Sequence, residues 1–171
     1  MIAMLRSLDE RIFRSASAYR PRALVRAMRA LTHLGDAQSW IAVGLFLCCC
    51  GGQTLRFGAL LGTGALLATL ASQVLKRACC RKRPSFSGFE ALIEDPDAFS
   101  FPSGHSAAAF AVAVALAGQG MGLGPLTLGL ACAIAFSRVY LGAHYPLDVA
   151  AGAAIGCACG GMARLLVGVA F

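Results

Sequence analysis

Two histidines of the sequence stand in settings that suit nucleophilic and acid–base chemistry. His144 is followed four positions later by Asp148, in the segment SRVYLGAHYPLD. A carboxylate near a histidine can hydrogen-bond one ring nitrogen, fix the tautomer and leave the other nitrogen to attack an electrophile. His105, in the segment FPSGHS, has no acidic neighbour in the sequence. The contrast predicts that His144 is a nucleophile oriented by Asp148 and that His105 is a proton donor.

The FPSGHS segment has the composition of a helix start that binds an anion. Pro102 suits the first turn of a helix, and a helix N-terminus presents unpaired N–H groups and a partial positive charge. Gly104 would let the backbone approach a bound anion closely, and Ser103 would add a hydroxyl donor. We therefore expect His105 to lie beside the anion, where it can exchange a proton with it.

Three basic residues near the same segments indicate the kind of anion. They are Lys76, Arg83 and Arg138. Several cations around one place suit a polyanion, and phosphate is the anion that ammonium and guanidinium groups match best. Taken singly, each cation is typical of a basic loop or a membrane boundary. Their combination with two histidines favours a phosphate site.

The loop between these segments, SGFEALIEDPDAF, carries four carboxylates: Glu90, Glu94, Asp95 and Asp97. Such a cluster could bind a cation, but a solvated or gating loop is the favoured interpretation. The eight cysteines lack the paired spacing of a zinc site, and we interpret them as small apolar residues without a chemical role. The sequence therefore predicts neither a metal ion nor a cofactor.

The composition predicts that these polar residues stand in a membrane protein. Of 171 residues, 58% are hydrophobic and only 13% are charged, and the mean hydropathy is +0.70. Soluble domains carry about 25% charged residues. The net charge of +7 comes mainly from arginines that flank apolar runs, which favours anionic lipid headgroups as partners and argues against nucleic acid.

Five apolar runs predict an all-α bundle of about five transmembrane helices. The runs cover 37–52, 57–75, 103–118, 123–139 and 147–169. Several are shorter than the roughly 20 residues that cross a bilayer. Residues 1–35 mix arginines with apolar residues at helical spacing, which predicts amphipathic helices at the membrane interface. A sixth span hidden there is the alternative, and residues 36–171 form the predicted transmembrane catalytic domain.

Alternation of five spans brings the polar segments to one membrane face. Lys76 to Arg83, the FPSGHS segment and Arg138 to Asp148 all follow or precede runs that end on that side. This face carries thirteen of the lysines and arginines, against two on the other side. The positive-inside rule then places the site on the cytoplasmic face of a bacterial inner membrane.

The last apolar run contains glycines at intervals of four, at Gly152, Gly156 and Gly160. Small residues at this spacing allow helices to pack closely. Close packing within the chain is the favoured interpretation, and a homodimer interface is the alternative.

The polar segments together resemble the type 2 phosphatidic acid phosphatase (PAP2) superfamily. Its three motifs occur in order: Lys76 with Arg83-Pro84 (K-x6-RP), Pro102-Ser103-Gly104-His105 (PSGH), and Ser137-Arg138 with His144 and Asp148 (SR-x5-H-x3-D). Three motifs at fixed spacings are far more specific than one short motif. The resemblance covers 76–148 directly, and residues 1–35 carry no motif.

The resemblance implies which residues bind phosphate. Lys76, Arg83 and Arg138 would hold the phosphate oxygens and stabilise the transition state. Ser103 and the Gly104 amide would add hydrogen bonds.

It also implies a reaction without a metal ion. His144 would attack phosphorus to give a phosphohistidine, with Asp148 orienting its ring. His105 would protonate the leaving group and then activate water.

The implied activity is that of a small bacterial membrane lipid phosphatase, and a polyprenyl phosphate or diphosphate is the favoured substrate. Phosphatidylglycerophosphate and phosphatidic acid are alternative substrates. Transfer of phosphate to another lipid, and non-catalytic binding of a lipid phosphate, are alternative functions. A haloperoxidase, which shares the motifs, is disfavoured because this chain is too short and too hydrophobic.

Overall fold

A computed structural model describes residues 2–85, 89, 91–93, 97–119 and 123–170. The described chain forms α1 (Ile2–Ala16), α2 (Arg22–His33), α3 (Ala37–Cys50), α4 (Gln53–Cys79), α5 (Gly104–Leu116), α6 (Leu123–Tyr140) and α7 (Pro146–Ala170). Within these ranges the extended structure is limited to one isolated bridge between Lys82 and Phe99. The predicted all-α membrane fold is confirmed.

Helices α3 to α7 coincide with the five predicted apolar runs. Three of them, α4, α6 and α7, are long and apolar enough to cross a membrane. The other two are shorter, with 14 residues in α3 and 13 in α5. Helix α4 extends beyond its apolar run at both ends and reaches Cys79, so that Lys76 is a helical residue.

Helix α5 lies at the centre of the bundle, where α4, α6 and α7 pack around it. Most of its buried side chains are alanines, which allow the neighbouring helices to approach closely. Val112 and Leu116 of α5 join Leu60 of α4 and Val167 of α7 in the main apolar core. The core therefore fixes α5 from several sides and holds its first residues in place.

The glycines of α7 contact the backbone of α5. A Cβ at Gly152, Gly156 or Gly160 would collide with the carbonyl oxygens of Ser103, Ala107 and Ala111, respectively. The close-packing interpretation of these glycines is confirmed, because this face of α7 is covered within the chain. The homodimer stays a prediction, without these glycines as its interface.

Helices α1 and α2 pack against the polar end of the bundle. Phe13 of α1 is fully buried, with its ring 5.0 Å from that of Phe89 and 5.4 Å from that of Tyr145. The hydroxyl of Tyr140 donates to the carbonyl of Tyr19 at 2.7 Å. The N-terminal helices are therefore joined to the rest of the bundle by specific contacts.

The opposite face of α1 exposes apolar side chains. Met4, Leu8 and Ile12 are spaced four residues apart and are all exposed. This stripe fits the predicted position at a membrane interface.

Candidate active site

The polar end of the bundle encloses a cavity of about 320 Å³. Its walls are formed by Asp36, Ala37, Gln38, Thr69, Ser72, Gln73, Lys76, Asp97, Gly104, His105 and His144. Of the predicted site residues, Lys76 comes from the end of α4, Gly104 and His105 from the start of α5, and His144 from the α6–α7 loop. Their predicted convergence on one end of the bundle is confirmed.

Two predicted phosphate ligands hold an internal carboxylate. Lys76 Nζ forms an ion pair with Asp97 Oδ2, and Arg83 Nη2 lies 2.5 Å from Asp97 Oδ1. Burial alone would raise the pKa of the Asp97 carboxyl, but the hydrogen bonds and charges of Lys76 and Arg83 outweigh burial and lower it. An anion is therefore stable between these two cations.

The acidic loop was expected to be solvated or to act as a gate, yet Asp97 lies in the cavity wall. Glu90, Glu94 and Asp95 lie outside the described residues.

Arg83 also connects the cations to the predicted nucleophile. Its Nη1 donates to the carbonyl of Ala143 at 2.9 Å and lies 3.5 Å from His144 Nε2. A phosphate held by Arg83 would therefore be in reach of this ring nitrogen.

His144 is oriented by a main-chain carbonyl, and the predicted hydrogen bond to Asp148 is absent. His144 Nδ1 lies 2.6 Å from the Ser100 carbonyl oxygen, whereas Asp148 Oδ2 is 3.8 Å from Nδ1, too far for a hydrogen bond. Because a carbonyl only accepts, Nδ1 must carry the proton, and Nε2 keeps its lone pair. The tautomer predicted for a nucleophile is thus fixed by Ser100.

The surroundings of His144 favour its neutral form. Burial lowers the pKa of His144, the charges of Arg138 and Arg83 lower it further, and Asp148 acts in the opposite direction. A neutral imidazole at neutral pH is the form that can attack phosphorus.

Asp148 is fully buried and holds the polar segments together. Its carboxylate accepts from Arg81 Nη1 at 2.6 Å and from the Tyr145 amide at 2.9 Å. Its main-chain carbonyl accepts from the Ser103 amide at 2.9 Å. Asp148 therefore fixes both the loop that carries His144 and Ser103, the residue that caps α5.

Arg81 bridges two carboxylates. Besides Asp148, it donates to Asp9 Oδ2 of α1 at 2.7 Å. Asp9 is buried and also accepts from the Leu147 amide at 2.9 Å. Sequence reasoning missed these contacts because the residues are far apart in the chain, by 72 positions for Arg81 and Asp9 and by 138 for Asp9 and Leu147.

In the FPSGHS segment, the first serine caps α5. Ser103 is the N-cap of α5 and is fully buried, and its hydroxyl accepts from Ser106 Oγ at 3.0 Å. These bonds use the hydroxyl oxygen as an acceptor, so the predicted donation from its O–H to phosphate stays a prediction. Pro102 precedes the cap and so lies outside the first helical turn where it was expected.

Gly104 keeps the predicted opening for a ligand. It is the first residue of α5, and a Cβ built there would meet nothing within 4 Å. Gly104 also lines the cavity, so the space beside it is open to a phosphate oxygen.

Two further site residues come from the end of α2 and from the turn that follows it. His105 Nε2 lies 2.9 Å from Asp36 Oδ1, although no carboxylate partner was expected for it. The buried Arg138 donates from Nη1 to Thr32 Oγ1 at 2.7 Å. The only signal for Asp36 was its type and position before an apolar run, which is typical of a helix cap.

The described ranges contain no cluster of three or more His, Cys, Asp or Glu residues able to hold a metal ion.

An apolar helical bundle with a cavity of cations and histidines at one end defines a membrane-embedded phosphate-handling protein. This chain belongs to the PAP2 superfamily, whose family model matches residues 57–170. It is 35% identical over 147 residues to decaprenylphosphoryl-5-phosphoribose phosphatase of Mycobacterium tuberculosis, covering 85% of this chain and 81% of that relative. The predicted membership, and with it a phosphatase activity of the hydrolase class, are confirmed.

Two solved structures share the fold. A transmembrane PAP2-type phosphatidylglycerolphosphate phosphatase from Bacillus subtilis superposes with a TM-score of 0.76 at 27% identity, covering 97% of this chain and 85% of the other. Aquifex aeolicus LpxE superposes with a TM-score of 0.73 at 26% identity, covering 91% and 94%. The N-terminal partners Asp9, Thr32 and Asp36 lie outside the residues that the family model matches.

Proposed function

We propose that this lipid phosphatase removes the terminal phosphate of a polyprenyl-linked phosphate or diphosphate, through a phosphohistidine on His144 and without a metal ion. The observation that carries the proposal is the anion site at His144. Lys76 and Arg83 hold the Asp97 carboxylate there, and Arg83 Nη1 stands 3.5 Å from His144 Nε2.

The substrate phosphate takes the place of the carboxylate between the two cations. Lys76, Arg83 and the Gly104 amide bind its oxygens, and Arg138 contributes charge from α6. Ser103 caps α5 with its hydroxyl oxygen and donates its O–H to the phosphate.

In the first step, His144 Nε2 attacks phosphorus, the bond from phosphorus to the leaving oxygen breaks, and His105 gives that oxygen a proton. In the second step, His105 takes a proton from water, the water oxygen attacks phosphorus, and the P–N bond breaks. Inorganic phosphate leaves, and both histidines return to their initial states. Asp148 supports this cycle by fixing the loop of His144.

The choice of a polyprenyl substrate is supported by the relative from Mycobacterium tuberculosis, whose name gives a decaprenyl-linked phosphoribose as its substrate. The Bacillus subtilis structure is that of a phosphatidylglycerolphosphate phosphatase, so glycerophospholipids belong in any test of substrate choice.

Phosphate release by the purified protein in detergent with EDTA tests the proposal. The substrates are polyprenyl diphosphate, polyprenyl monophosphate, decaprenylphosphoryl-5-phosphoribose, phosphatidylglycerophosphate and phosphatidic acid. We expect turnover in EDTA that is fastest on a polyprenyl substrate and is lost in His144→Ala, with Arg164→Gln as an exposed control. A [³²P]lipid phosphate should leave an acid-labile, base-stable label on the wild type alone.

Each alternative has its own outcome. Release that stops in EDTA overturns the metal-free mechanism, and preference for phosphatidylglycerophosphate or phosphatidic acid overturns the polyprenyl substrate. Label that moves to a second lipid without phosphate release indicates a phosphotransferase. Binding without label or release indicates a non-catalytic lipid-phosphate binding protein.

We also propose that the site faces the cytoplasm from a bacterial inner membrane. The excess of lysine and arginine on the active face supports this orientation. In a cysteine-free background, a thiol placed at Gln53 should react with an impermeant reagent added outside the cell, and one at Ser15 should not. The reverse pattern would overturn the orientation.

We further propose that residues 1–35 rest on the membrane surface in contact with lipid. The exposed stripe of Met4, Leu8 and Ile12 supports this position. An environment-sensitive fluorophore at Leu8 should shift to the blue in vesicles, whereas one at the exposed Glu10, on the other side of α1, should not. Equal spectra at the two positions would contradict the proposal.

A further inference from the structure

We propose that Asp36 is a positioning residue for His105, so that the site contains a second histidine–carboxylate pair devoted to the proton donor. The proposal rests on the proposed function, because it assigns a partner to the general acid of that reaction. Asp36 Oδ1 lies 2.9 Å from His105 Nε2, and both residues line the cavity that contains His144.

The carboxylate of Asp36 is not used for the task that its position suggests. Asp36 is the N-cap residue of α3, where an aspartate normally accepts a hydrogen bond from an amide of the first helical turn. Here the side chain makes no capping hydrogen bond and reaches His105 of α5 instead. The Asp36 carboxylate therefore binds His105 and does not cap α3.

The turn that carries Asp36 is held firmly against α5 and α6. The Gly35 amide donates to the Thr32 carbonyl at 2.9 Å, and the Asp36 amide donates to the His33 carbonyl at 3.3 Å. A Cβ at Gly35 would lie 2.5 Å from the Ile134 side chain and 3.3 Å from Cδ2 of His105. Because the backbone packs this closely on the ring, the position of the carboxylate relative to His105 is fixed.

The charges around His105 come from every element packed near it. Asp36 from the α2–α3 turn, Lys76 from α4, Asp97 from the loop that follows and His144 from the α6–α7 loop line the cavity with His105. Beside these groups stand His33 at the end of α2, paired with Asp36, Arg83, paired with Asp97, and Arg138 and Asp148 near His144. The carboxylate of Asp36, 2.9 Å from Nε2, is placed to stabilise a protonated His105.

This pairing suits a proton donor. In the imidazolium form of His105, Nε2–H is held by Asp36, and the proton on Nδ1 is the one given to the leaving oxygen. The neutral ring that remains then takes a proton from water at Nδ1, which restores the imidazolium. Asp36 stays ionised throughout and transfers no proton.

The two histidines consequently have partners of different kinds. His144 is held by the neutral carbonyl of Ser100 and is buried, which favours the neutral form needed for attack. His105 is held by a carboxylate and has a partly exposed side chain, which favours the charged form needed for proton donation. Different environments of this kind separate the roles of two chemically identical groups.

The test uses the full-length protein and two substrates of different leaving-group quality. One is a polyprenyl phosphate, whose alkoxide needs a proton, and the other is a lipid analogue with a nitrophenolate leaving group, which does not. The quantity compared is kcat/KM, because it reports the steps up to formation of the phosphohistidine. Ser39→Ala, an exposed neighbour on α3, is the control that should keep wild-type rates.

For Asp36→Asn we expect kcat/KM on the polyprenyl phosphate to fall about 10- to 100-fold, a part of the full effect of a general acid. The loss on the nitrophenyl analogue should stay below about threefold, because its leaving group needs no proton. The alkaline limb of the kcat/KM pH profile should move to lower pH, because the charged form of His105 is less stable without the carboxylate. In a His105→Gln background, Asp36→Asn should cause no further loss.

Equal losses on both substrates, or an unshifted alkaline limb, would overturn the proposal and leave Asp36 a structural residue. If Asp36→Asn does not fold, Asp36→Ser, which can cap α3, is subjected to the same comparison. Failure of the proposed function is separate from these outcomes, because the wild type would then release no phosphate from either substrate.

Discussion

The polar side chains between Lys76 and Asp148 surround one cavity. Polar side chains between Ile2 and Asp36 instead hold the residues of that first region in place. Asp9 reaches Asp148 through Arg81, Thr32 holds Arg138, and Asp36 holds His105. The first region carries the motifs of the PAP2 superfamily, and the second carries none of them.

The difference separates two kinds of constraint. A group that contacts phosphate must have a given chemistry at a given place, so its residue type and spacing form a motif. A group that holds such a residue can come from any element that reaches it. The N-terminal region is therefore a part of the site that motif searching does not detect.

The largest effect should come from the motif region, at Arg138. Arg138→Ala removes a buried cation, and we expect kcat/KM for lipid phosphate to fall about 10²- to 10³-fold. Arg138→Lys should recover little, because an ammonium cannot reproduce the guanidinium fork. The exposed Arg77→Gln is the control. Near-normal activity in folded Arg138→Ala would show that the motif arginine is not needed for catalysis.

A smaller effect is expected in the N-terminal region, at Asp9. Asp9→Asn removes one charge from the Arg81 bridge, and a broken buried pair that keeps one partly exposed member should cost about 2 kcal/mol of stability. We expect a lower unfolding midpoint in detergent and a loss of activity of about tenfold, because the loop of His144 becomes less well fixed. The neighbouring exposed Glu10→Gln should change neither. If Asp9→Asn matches Glu10→Gln, the N-terminal region does not support the site.

The smallest effect, and one of opposite sign, is expected at Asp97. Asp97→Asn weakens the internal competitor for Lys76 and Arg83. KM and the inhibition constant of inorganic phosphate should fall about threefold, because the two ion pairs of the partly exposed Asp97 are weakened by solvent. An unchanged or higher inhibition constant would mean that Asp97 does not occupy the phosphate position.

The pH dependence of this competition follows from the lowered pKa of Asp97. Because the carboxyl stays ionised below its ordinary value of 3.8, acidification from pH 8 to pH 5 should not relieve the competition in the wild type. The stability that these ion pairs contribute is present above that ordinary value and is lost only as the pH falls through the lowered one. If the phosphate inhibition constant falls between pH 8 and pH 5 in the wild type but not in Asp97→Asn, the prediction that Asp97 stays ionised is wrong.

The fold could be predicted from the sequence because helices in a membrane must be apolar over long runs. The limits of α4 could not, because polar residues such as Thr54 and Arg77 continue the helix on both sides of the run. The convergence of Lys76, His105 and His144 followed from counting spans, which needs no knowledge of side-chain geometry.

The partners of the histidines were beyond the sequence for physical reasons. The acceptor for His144 is the main-chain oxygen of Ser100, and every residue has such an oxygen. Asp36 is separated from His105 by 69 positions, and its type fits an ordinary helix cap. The hydroxyl of Ser103 caps α5, a task that residue type and position alone do not distinguish from binding a ligand.

The glycine stripe of α7 has a mechanical consequence. His105 is the second residue of α5, and His144 stands two residues before α7 begins. Since Gly152 and Gly156 bring the two helix backbones into direct contact, no side chain between them can rotate or compress to change their separation. Lateral pressure from the surrounding bilayer should therefore tilt α5 and α7 together and leave the distance between His144 and His105 unchanged.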